Sequence, residues 1–379
     1  MTEIDRRTLF AAAGAVTALA AAPALAKPKR LMVINALGGL SDPNGRLPQP
    51  GKAIQMDQNR SYSQRIIDDA RAAGVIALND TLGYVSGPDD PFESTVKDIA
   101  RTDARIRSRP ADLIKILSVA DILRARDENK VGMFYGFQNT TMIGDKIERV
   151  QLFHDLGVRV VQLTYNLANS VGDGSMAPEN RGLTPWGRQL VGALNDAKLM
   201  VDLSHSGEQT CLEAARISKA PISINHTGCR ALTDLPRNKT DAELRLVAER
   251  GGFVGIYFMP YLNPTSVATA ADVVAHIDHA VNICGEDAVG IGTDGGITGI
   301  DDMPAYRAIV REEIAARKAA GIGAKGENPD TVPFVADLIG PDQFHKLAGL
   351  LKAKGYKDAR IDKIMSANFL RYGQLIWGG

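Results

Sequence analysis

Cysteine is scarce in this sequence, with only Cys211, Cys229 and Cys284 in a chain of 379 residues. Their spacing contains no CxxC pair, which excludes a structural zinc site built from four thiolates. One disulfide could form in an oxidising compartment, and the spacing does not decide whether it does. Because Cys211 and Cys284 lie in amphipathic helical patterns, we expect buried thiols.

An excess of charge of either sign is also lacking. The chain has 44 Lys and Arg residues against 44 Asp and Glu residues, and it contains no basic stripe or arginine-rich run. This balance predicts no nucleic-acid partner, since proteins that bind phosphate backbones cluster their cations. Hydrophobic residues make up 45% of the chain, a share that is ordinary for a globular enzyme.

Long apolar runs are missing as well, apart from an alanine-rich one near the N-terminus. It follows a twin-arginine pattern, DRRTLF at 5–10, and leads to a small-residue cleavage site at 24–26. The run is shorter than the ~20 residues that a membrane span needs. We therefore predict a signal peptide over residues 1–26, with an uncleaved anchor as the alternative. Residues 27–379 are predicted to form a single periplasmic domain with no transmembrane segment.

Short apolar runs, many of them β-branched, alternate with helical patterns along the mature chain. This βαβα rhythm is typical of a parallel sheet, and eight such runs indicate an α/β fold, the (β/α)8 TIM barrel. Helical patterns after residue 303 predict a C-terminal helical extension. The eight predicted strands are 31–37, 74–78, 131–137, 158–165, 199–205, 221–227, 253–259 and 288–294.

Three of these runs end in a residue that is suited to metal or acid–base chemistry. LMVDLSH ends at His205, PISINHT delivers His226, and AVGIGTD ends at Asp294. In a (β/α)8 barrel the C-terminal ends of the strands converge on one mouth, so these side chains can meet there. Two imidazoles and a carboxylate can hold a zinc ion, which lowers the pKa of bound water and polarises a carbonyl group.

Each of the three residues also has a purely structural interpretation. Either histidine alone could be a core residue, and only the pair at equivalent strand ends favours a metal site. Asp294 could be a metal ligand, the base that carries a proton to a leaving amine, or a helix N-cap before Gly295-Gly296.

An ordered series of motifs extends this interpretation. VQLTYN, GLTPWGRQLV, VDLSHSGEQT, SKAPISINHT, PRNKTD and VGIGTD, followed near the C-terminus by IMSANFLR, resemble the membrane (renal-type) dipeptidases, peptidase family M19. The resemblance covers most of the mature chain. It implies an amidohydrolase-like TIM barrel with a binuclear zinc site that hydrolyses dipeptides, some with a D-residue at the C-terminal position. Members of the family are often dimers, so a homodimer is a further expectation.

The resemblance also assigns roles to individual residues. His205 and His226 match two zinc ligands, and Asp294 matches the catalytic aspartate. Arg237 in PRNKTD matches the arginine that binds the substrate carboxylate, a role that suits the two parallel donors of a guanidinium group. The structural alternative for Arg237 is a surface residue at the entry of a helix.

Four residues depart from the family pattern, and three of them weaken one of the two metal positions. Leu37 and Gly39 replace the His-x-Asp pair of the first strand, and Gln138 replaces the bridging glutamate. Tyr165 replaces a histidine that would stabilise the tetrahedral intermediate. We therefore expect one divalent metal, most simply zinc, in place of two. Gln138 and Tyr165 are expected to contact the substrate, and Tyr165 is also a catalytic candidate.

Other titratable residues are expected to be structural. Two loop carboxylates could approach the mouth, although Asp42 sits in strong turn chemistry, Asp-Pro-Asn-Gly. The remaining histidines lie in helical patterns away from the strand ends. These residues are Asp42, Asp173, His154, His276, His279 and His345.

The sequence therefore predicts an exported metal-dependent hydrolase that cleaves dipeptides or related small amides. The replaced ligands keep a second hypothesis open, a non-catalytic periplasmic binding protein that retains the Arg237 pocket. A changed reaction, such as isomerisation or the tailoring of a peptide natural product, is a third hypothesis that no residue singles out.

Overall fold

The computed structural model describes residues 30–46, 61–319 and 327–378. The described residues from Leu31 onward form one compact unit. The predicted signal peptide lies outside the described residues, so it stays a prediction. Among the helices of the described part, none is both long enough and apolar enough to cross a membrane.

The described strands form one sheet in which every pairing between strands is parallel. Each of the eight predicted strands is present. The two additional strands, β3 and β10, have only three and two residues, too few to give a periodic pattern. The strands are β1 (Val33–Gly39), β2 (Val75–Thr81), β3 (Leu113–Lys115), β4 (Val131–Phe137), β5 (Val158–Gln162), β6 (Met200–Asp202), β7 (Ser223–Thr227), β8 (Phe253–Ile256), β9 (Val289–Ile291) and β10 (Gly295–Gly296).

The two edges of this sheet meet at β1. The chain continues from β9 through Asp294 into β10, which pairs with β1 so that Gly295 lies opposite Gly38. The amide of Asp294 also donates to the carbonyl oxygen of Leu37 at 2.9 Å. Closure at this point confirms the predicted TIM barrel, with Asp294 at the junction.

Helices follow most of the strands, as predicted. Thr184 caps α5 by accepting from the amide of Gly187, and Pro185 occupies the first helical turn, a position that proline favours. A π-helical turn (Lys363–Ala367) joins α11 to α12. The helices are α1 (Gln64–Ala72), α2 (Pro91–Arg107), α3 (Val119–Asp127), α4 (Arg149–Asp155), α5 (Pro185–Asp196), α6 (Glu208–Ile217), α7 (Asp241–Glu249), α8 (Ala270–Cys284), α9 (Met303–Ala319), α10 (Gln343–Ala353), α11 (Asp358–Asp362) and α12 (Asn368–Trp377).

The last helix, α12, packs against side chains of the barrel strands at the end opposite the mouth. Phe369 of α12 stacks on Phe134 of β4 with ring centroids 5.2 Å apart, and it meets Phe253, the first residue of β8, edge-on at 5.3 Å. Ile34, Met200 and Tyr372 belong to the same buried cluster. This packing fills the end of the barrel that lies opposite the C-terminal strand ends.

Candidate active site

The predicted site residues lie at the C-terminal ends of neighbouring strands. His226 is in β7, whereas His205 follows β6 in a turn, because that strand ends at Asp202. Asp294 lies between β9 and β10. The rings of His205 and His226 have centroids 5.0 Å apart and planes inclined by 59°. The fold therefore brings the two predicted imidazoles side by side.

The ring of His205 is held on two sides. Its Nδ1 lies 2.7 Å from Oδ1 of Asn166, and its face stacks on Tyr165 with a centroid distance of 4.3 Å. The Asn166 oxygen can only accept, so this contact favours the tautomer that carries its proton on Nδ1. The buried Nε2 has no hydrogen-bond partner among the described residues. His205 thus presents a free lone pair.

His226 is fully buried, and within the described part of the chain neither of its ring nitrogens has a hydrogen-bond partner. A carboxylate oxygen of Asp202 is 4.0 Å from Nδ1. Burial lowers the pKa of both histidines well below the usual range, and the charge of Arg237 lowers these pKa values further. Both rings are therefore neutral at physiological pH, which is the form of imidazole that binds metals.

Asp202 was not among the predicted site residues, although it organises this part of the mouth. It is the last residue of β6 and is 1% exposed. One of its carboxylate oxygens accepts from the amides of Ser204 at 3.0 Å and Asn225 at 2.9 Å. These bonds link the turn that carries His205 to β7, which carries His226. The sequence signal was a carboxylate within the apolar run LMVDLSH.

Arg237 lies over the ends of β6 and β8. Its Nη1 donates to the carbonyl oxygen of Ser204 at 2.6 Å, and its guanidinium carbon is 5.9 Å from the ring centre of Tyr257. The residue is 8% exposed, so the alternative of a surface helix-entry residue does not hold. Nη2 is buried and unpaired within the residues that the structure describes. A buried guanidinium with a free nitrogen suits a carboxylate ligand.

A second buried cation was not predicted. Nζ of Lys239 lies 3.1 Å from Oε1 of Glu243, and both side chains are 2% exposed. Lys239 also donates a hydrogen bond to the carbonyl oxygen of Ser206. Glu243 closes a capping box with Thr240 at the start of α7. The charge of Lys239 contributes to the low pKa of both site histidines. In the sequence, PRNKTD looks like an ordinary polar loop, so the burial of Lys239 could not be predicted from it.

Asp294 adopts a left-handed backbone conformation with φ of 57°, which aspartate tolerates better than most residues. It is followed by β10, and α9 begins only at Met303, so the helix N-cap alternative is wrong. Burial raises the pKa of the Asp294 carboxyl to about 6, with Arg237 opposing and Asp202 adding to the shift. A carboxyl with this pKa suits a general base that works near neutral pH.

Tyr165 lies within electrostatic reach of both Asp294 and Arg237. Burial raises the pKa of its phenol, Asp294 raises that pKa further, and Arg237 lowers it. The phenol therefore stays protonated at physiological pH and can donate a hydrogen bond. This geometry is compatible with the predicted roles of Tyr165 in catalysis and substrate binding, which stay predictions.

The part of the mouth formed by β1, β2 and β4 has different chemistry. Gln138 directly follows β4, and its side-chain amide donates to Oγ1 of Thr81 at 2.9 Å. Leu37 and Gly39 lie in β1, and the leucine side chain is 2% exposed. This sector therefore contains an amide, a hydrocarbon side chain and a glycine where the dipeptidase pattern has charged ligands.

The remaining titratable candidates have structural partners. Asp42 accepts from Asn44 in its own turn, and Asp173 forms an ion pair with Arg181 at 2.8 Å. His279 pairs with Asp241, and His276 accepts from the amide of Cys229 while its other nitrogen contacts Leu262 O. His154 contacts Gln151 and Asp155 on or next to its own helix, and His345 contacts the carbonyl oxygen of Ala72, the last residue of α1. Cys211 and Cys229 are buried free thiols and Cys284 is a partly buried one.

The donor atoms present fit a metal ion only in part. The unpaired, neutral nitrogens of His205 and His226 are suitable ligands. However, across residues 30–46, 61–319 and 327–378 no group of three or more His, Cys, Asp or Glu side chains is placed to hold a metal. The predicted three-residue set of His205, His226 and Asp294 therefore stays a prediction, and so does the number of ions.

Comparison with known proteins agrees with the geometry of the mouth. Residues 70–321 match the model of the membrane dipeptidases, peptidase family M19. The chain belongs to this family. Its members are metallopeptidases, generally zinc-dependent, so the expectation of a dipeptidase-type hydrolase is confirmed at the level of the family.

Individual relatives cover the chain to different extents. A Klebsiella pneumoniae protein, the uncharacterized protein in the pqqA 5' region, is 28% identical over 304 residues, which are 77% of this chain and 99% of that protein. The dipeptidase tcpJ of Claviceps purpurea is 32% identical over 199 residues. That alignment spans 50% of this chain and only 47% of the fungal protein.

A solved structure supports the same assignment. An amidohydrolase from Pseudomonas aeruginosa is 30% identical, with a TM-score of 0.75, and the match covers 92% of this chain and 97% of the other. A match over 92% of the chain extends beyond residues 70–321. The family fold therefore accounts for nearly the whole described chain.

Proposed function

We propose that the protein is a metal-dependent hydrolase that cleaves dipeptides or related small amides. The observation that carries this proposal is the pair of buried, neutral imidazoles of His205 and His226. Their ring centroids are 5.0 Å apart, each keeps an unpaired ring nitrogen within the described residues, and the charge of Arg237 acts on both. Unpaired polar atoms are costly inside a protein, so a site that keeps several of them together is suited to a ligand.

Arg237 would hold the substrate. Its Nη1 is engaged by Ser204, which fixes the guanidinium plane, while Nη2 has no partner in the described residues. A free carboxylate of a dipeptide is a suitable acceptor for Nη2. This contact would place the peptide amide near the histidine pair and Asp294.

Asp294 would serve as the general base. It would take a proton from the attacking water as the water oxygen bonds to the amide carbon, and it would return that proton to the nitrogen as the C–N bond breaks. Tyr165 would donate a hydrogen bond to the developing oxyanion. A divalent ion held by His205 and His226 would supply a polarised amide carbonyl and a more acidic water.

Zinc titration of the purified protein by calorimetry, with elemental analysis, tests this proposal. We expect one ion per chain in the wild type and a large loss of affinity in His205→Gln and in His226→Gln. The matched control is His279→Gln. This histidine lies in α8 and is paired with Asp241 at the start of α7. Less than about a tenth of a zinc per chain under loading would rule out the metal-dependent proposal.

A second candidate function is the binding of small peptides without cleavage. It is favoured by the β1–β4 part of the mouth, where Gln138 pairs with Thr81 and where Leu37 and Gly39 offer no ligand. A panel of L-L and L-D dipeptides with added zinc separates the two functions. Lack of turnover, together with peptide binding that Arg237→Ala abolishes, would favour the binding protein.

The proposed location is the periplasm, reached by the twin-arginine route, and the proposed assembly is a homodimer. The proposed location rests on the DRRTLF pattern, and the proposed homodimer rests on the resemblance to a family whose members are often dimers. Fractionation of cells that express the wild type and an Arg6→Lys/Arg7→Lys variant tests the location. Sedimentation of the mature chain tests the assembly, and a monomer at micromolar concentration would contradict it.

A further inference from the structure

A cavity of about 230 Å³ lies against Asp294 on the side of β9, β10 and β1. Asp294 forms part of its wall, together with Thr293, Gly295 and Gly296 of the same strand junction. Most of the remaining wall is apolar: Phe258, Ile300, Tyr306, Phe334 and Leu338. The cavity is smaller than a pocket for a drug-sized ligand, about 300–1,000 Å³, so its size suits a single side chain.

The apolar wall is held by contacts that do not depend on a ligand. Tyr306 of α9 packs against Phe334 with ring centroids 5.7 Å apart, and Phe258 packs against Phe344 of α10 at 6.0 Å. Tyr306 also belongs to a buried cluster with Val310 and Ile314. The cavity is therefore preformed, which reduces the cost of ordering the protein when a ligand binds.

One polar atom in this wall has no partner. Thr298 is 2% exposed and lines the cavity, yet its hydroxyl makes no hydrogen bond within the described part of the chain. Buried hydroxyl groups in native proteins are usually paired, and an unpaired one destabilises the folded state. An unpaired hydroxyl on a residue of this wall, which also contains Ser41 and Gln343, points to a ligand that carries one matching polar group.

The position of the cavity relative to Arg237 decides which part of the substrate it can reach. Arg237 contacts Ser204 after β6 and Tyr257 after β8, whereas the cavity begins at Asp294 and extends toward Ser41 after β1. Asp294 thus stands between the two. A dipeptide whose carboxylate binds Arg237 and whose amide lies at Asp294 would direct its amine-side residue toward the cavity.

We propose that this cavity selects the amine-side residue of the substrate and takes an apolar side chain with one polar group, such as the phenol of tyrosine. Burial of the ring against the aromatic wall supplies affinity, and Thr298 Oγ1 pairs with the phenol. This inference rests on the proposed function, because Arg237 and Asp294 set the direction of the peptide.

Calorimetry with the mature protein and no added metal tests the inference, since binding is measured without turnover. We expect Tyr-Gly and Phe-Gly to bind at least about tenfold more tightly than Ala-Gly. Tyr-Gly should bind about three- to tenfold more tightly than Phe-Gly through the Thr298 hydrogen bond.

Two variants sharpen the test. Thr298→Val keeps the shape, so we expect it to abolish the preference for Tyr-Gly over Phe-Gly and to raise the melting temperature, because the unpaired hydroxyl is gone. Ile300→Trp should fill the cavity and reduce Tyr-Gly binding to the level of Ala-Gly. Equal affinities of the wild type for all three dipeptides would overturn this inference alone. Binding of no dipeptide either without metal or with added zinc, or affinities unchanged in Arg237→Met, would overturn the proposed function and the inference with it.

Discussion

The two sides of the barrel mouth differ in how their polar groups are satisfied. On the side of β6 to β9, the free nitrogens of His205, His226 and Arg237 have no partner among the described residues. On the side of β1 to β4, the amide of Gln138 is engaged by Thr81, and Leu37 is a buried hydrocarbon side chain. The first side gathers several unpaired nitrogens around one space, whereas on the second side Gln138 is engaged and Asn79 Oδ1 of β2 is unpaired.

This difference has a physical consequence for the site. A binuclear centre needs negative charge from both sides of the mouth to offset two dications. Here the carboxylates near the histidines are Asp202 and Asp294, and the buried cations Arg237 and Lys239 lie among them. The side of β6 to β9 can therefore serve one ion and an anionic substrate. The other side contributes Asp80 of β2, a carboxyl whose pKa is raised to about 7 by burial and by the charge of Asp98.

The largest expected effect tests whether the side of β6 to β9 performs the chemistry. The pKa of Asp294 is about 6, so its carboxyl is protonated below that pH and ionised above it. If the carboxylate is the base, kcat/KM rises as pH increases through about 6 and then levels off. Asp294→Asn should lower kcat/KM by about 10²–10⁴-fold and remove this acid limb. Retention of the acid limb in the variant would show that Asp294 is not the base and that the side of β6 to β9 does not supply it.

A smaller effect tests whether Lys239 is part of the same buried arrangement. Removing one partner of a buried ion pair leaves a charge without compensation, so Lys239→Met should lower the free energy of unfolding by about 3–5 kcal/mol. The double variant Lys239→Met/Glu243→Leu should regain most of this loss. Urea denaturation measures both.

The matched control for that experiment is the exposed pair of Lys97 and Glu93, 2.7 Å apart on α2. Lys97→Met should leave the urea midpoint unchanged, because surface pairs contribute little. An equal loss in Lys97→Met and Lys239→Met would show that burial does not distinguish the two pairs.

The smallest expected effect concerns the side of β1 to β4. Gln138→Glu returns a carboxylate to that side, and we expect zinc affinity to rise by at least about tenfold. Asn139→Asp is a control that adds the same charge at the next position. If the two variants raise zinc affinity equally, the added negative charge alone explains the gain, and a carboxylate at position 138 has no special role.

The sequence was most informative where the chain repeats a simple pattern. The eight apolar runs predicted eight of the ten described strands, because parallel strands that are buried on both faces are rich in apolar residues. Strand β10 escaped prediction since Gly295-Gly296 has no side chains and pairs only because the barrel closes on β1. The same two glycines suggested an N-cap at Asp294, and closure of the barrel places a strand there.

The site was predictable only in part. His205, His226, Asp294 and Arg237 were predicted from motif order and strand ends. The fold brings the two histidines side by side, and the roles of all four residues stay predictions. Asp202, Lys239 and Thr298 were missed, since each looks like an ordinary polar residue in the sequence. Only burial gives these three their importance, and burial depends on neighbours that are distant in the chain.

The amino-acid sequence by itself determined the barrel, the family and the residue types at the mouth, because periodicity and motif order are local properties of the chain. The tertiary structure alone decided which polar atoms are paired and which are left free. It also decided that a cavity lies beside Asp294. Those outcomes depend on side chains from different strands sharing one desolvated space, where the cost of an unpaired polar group is high.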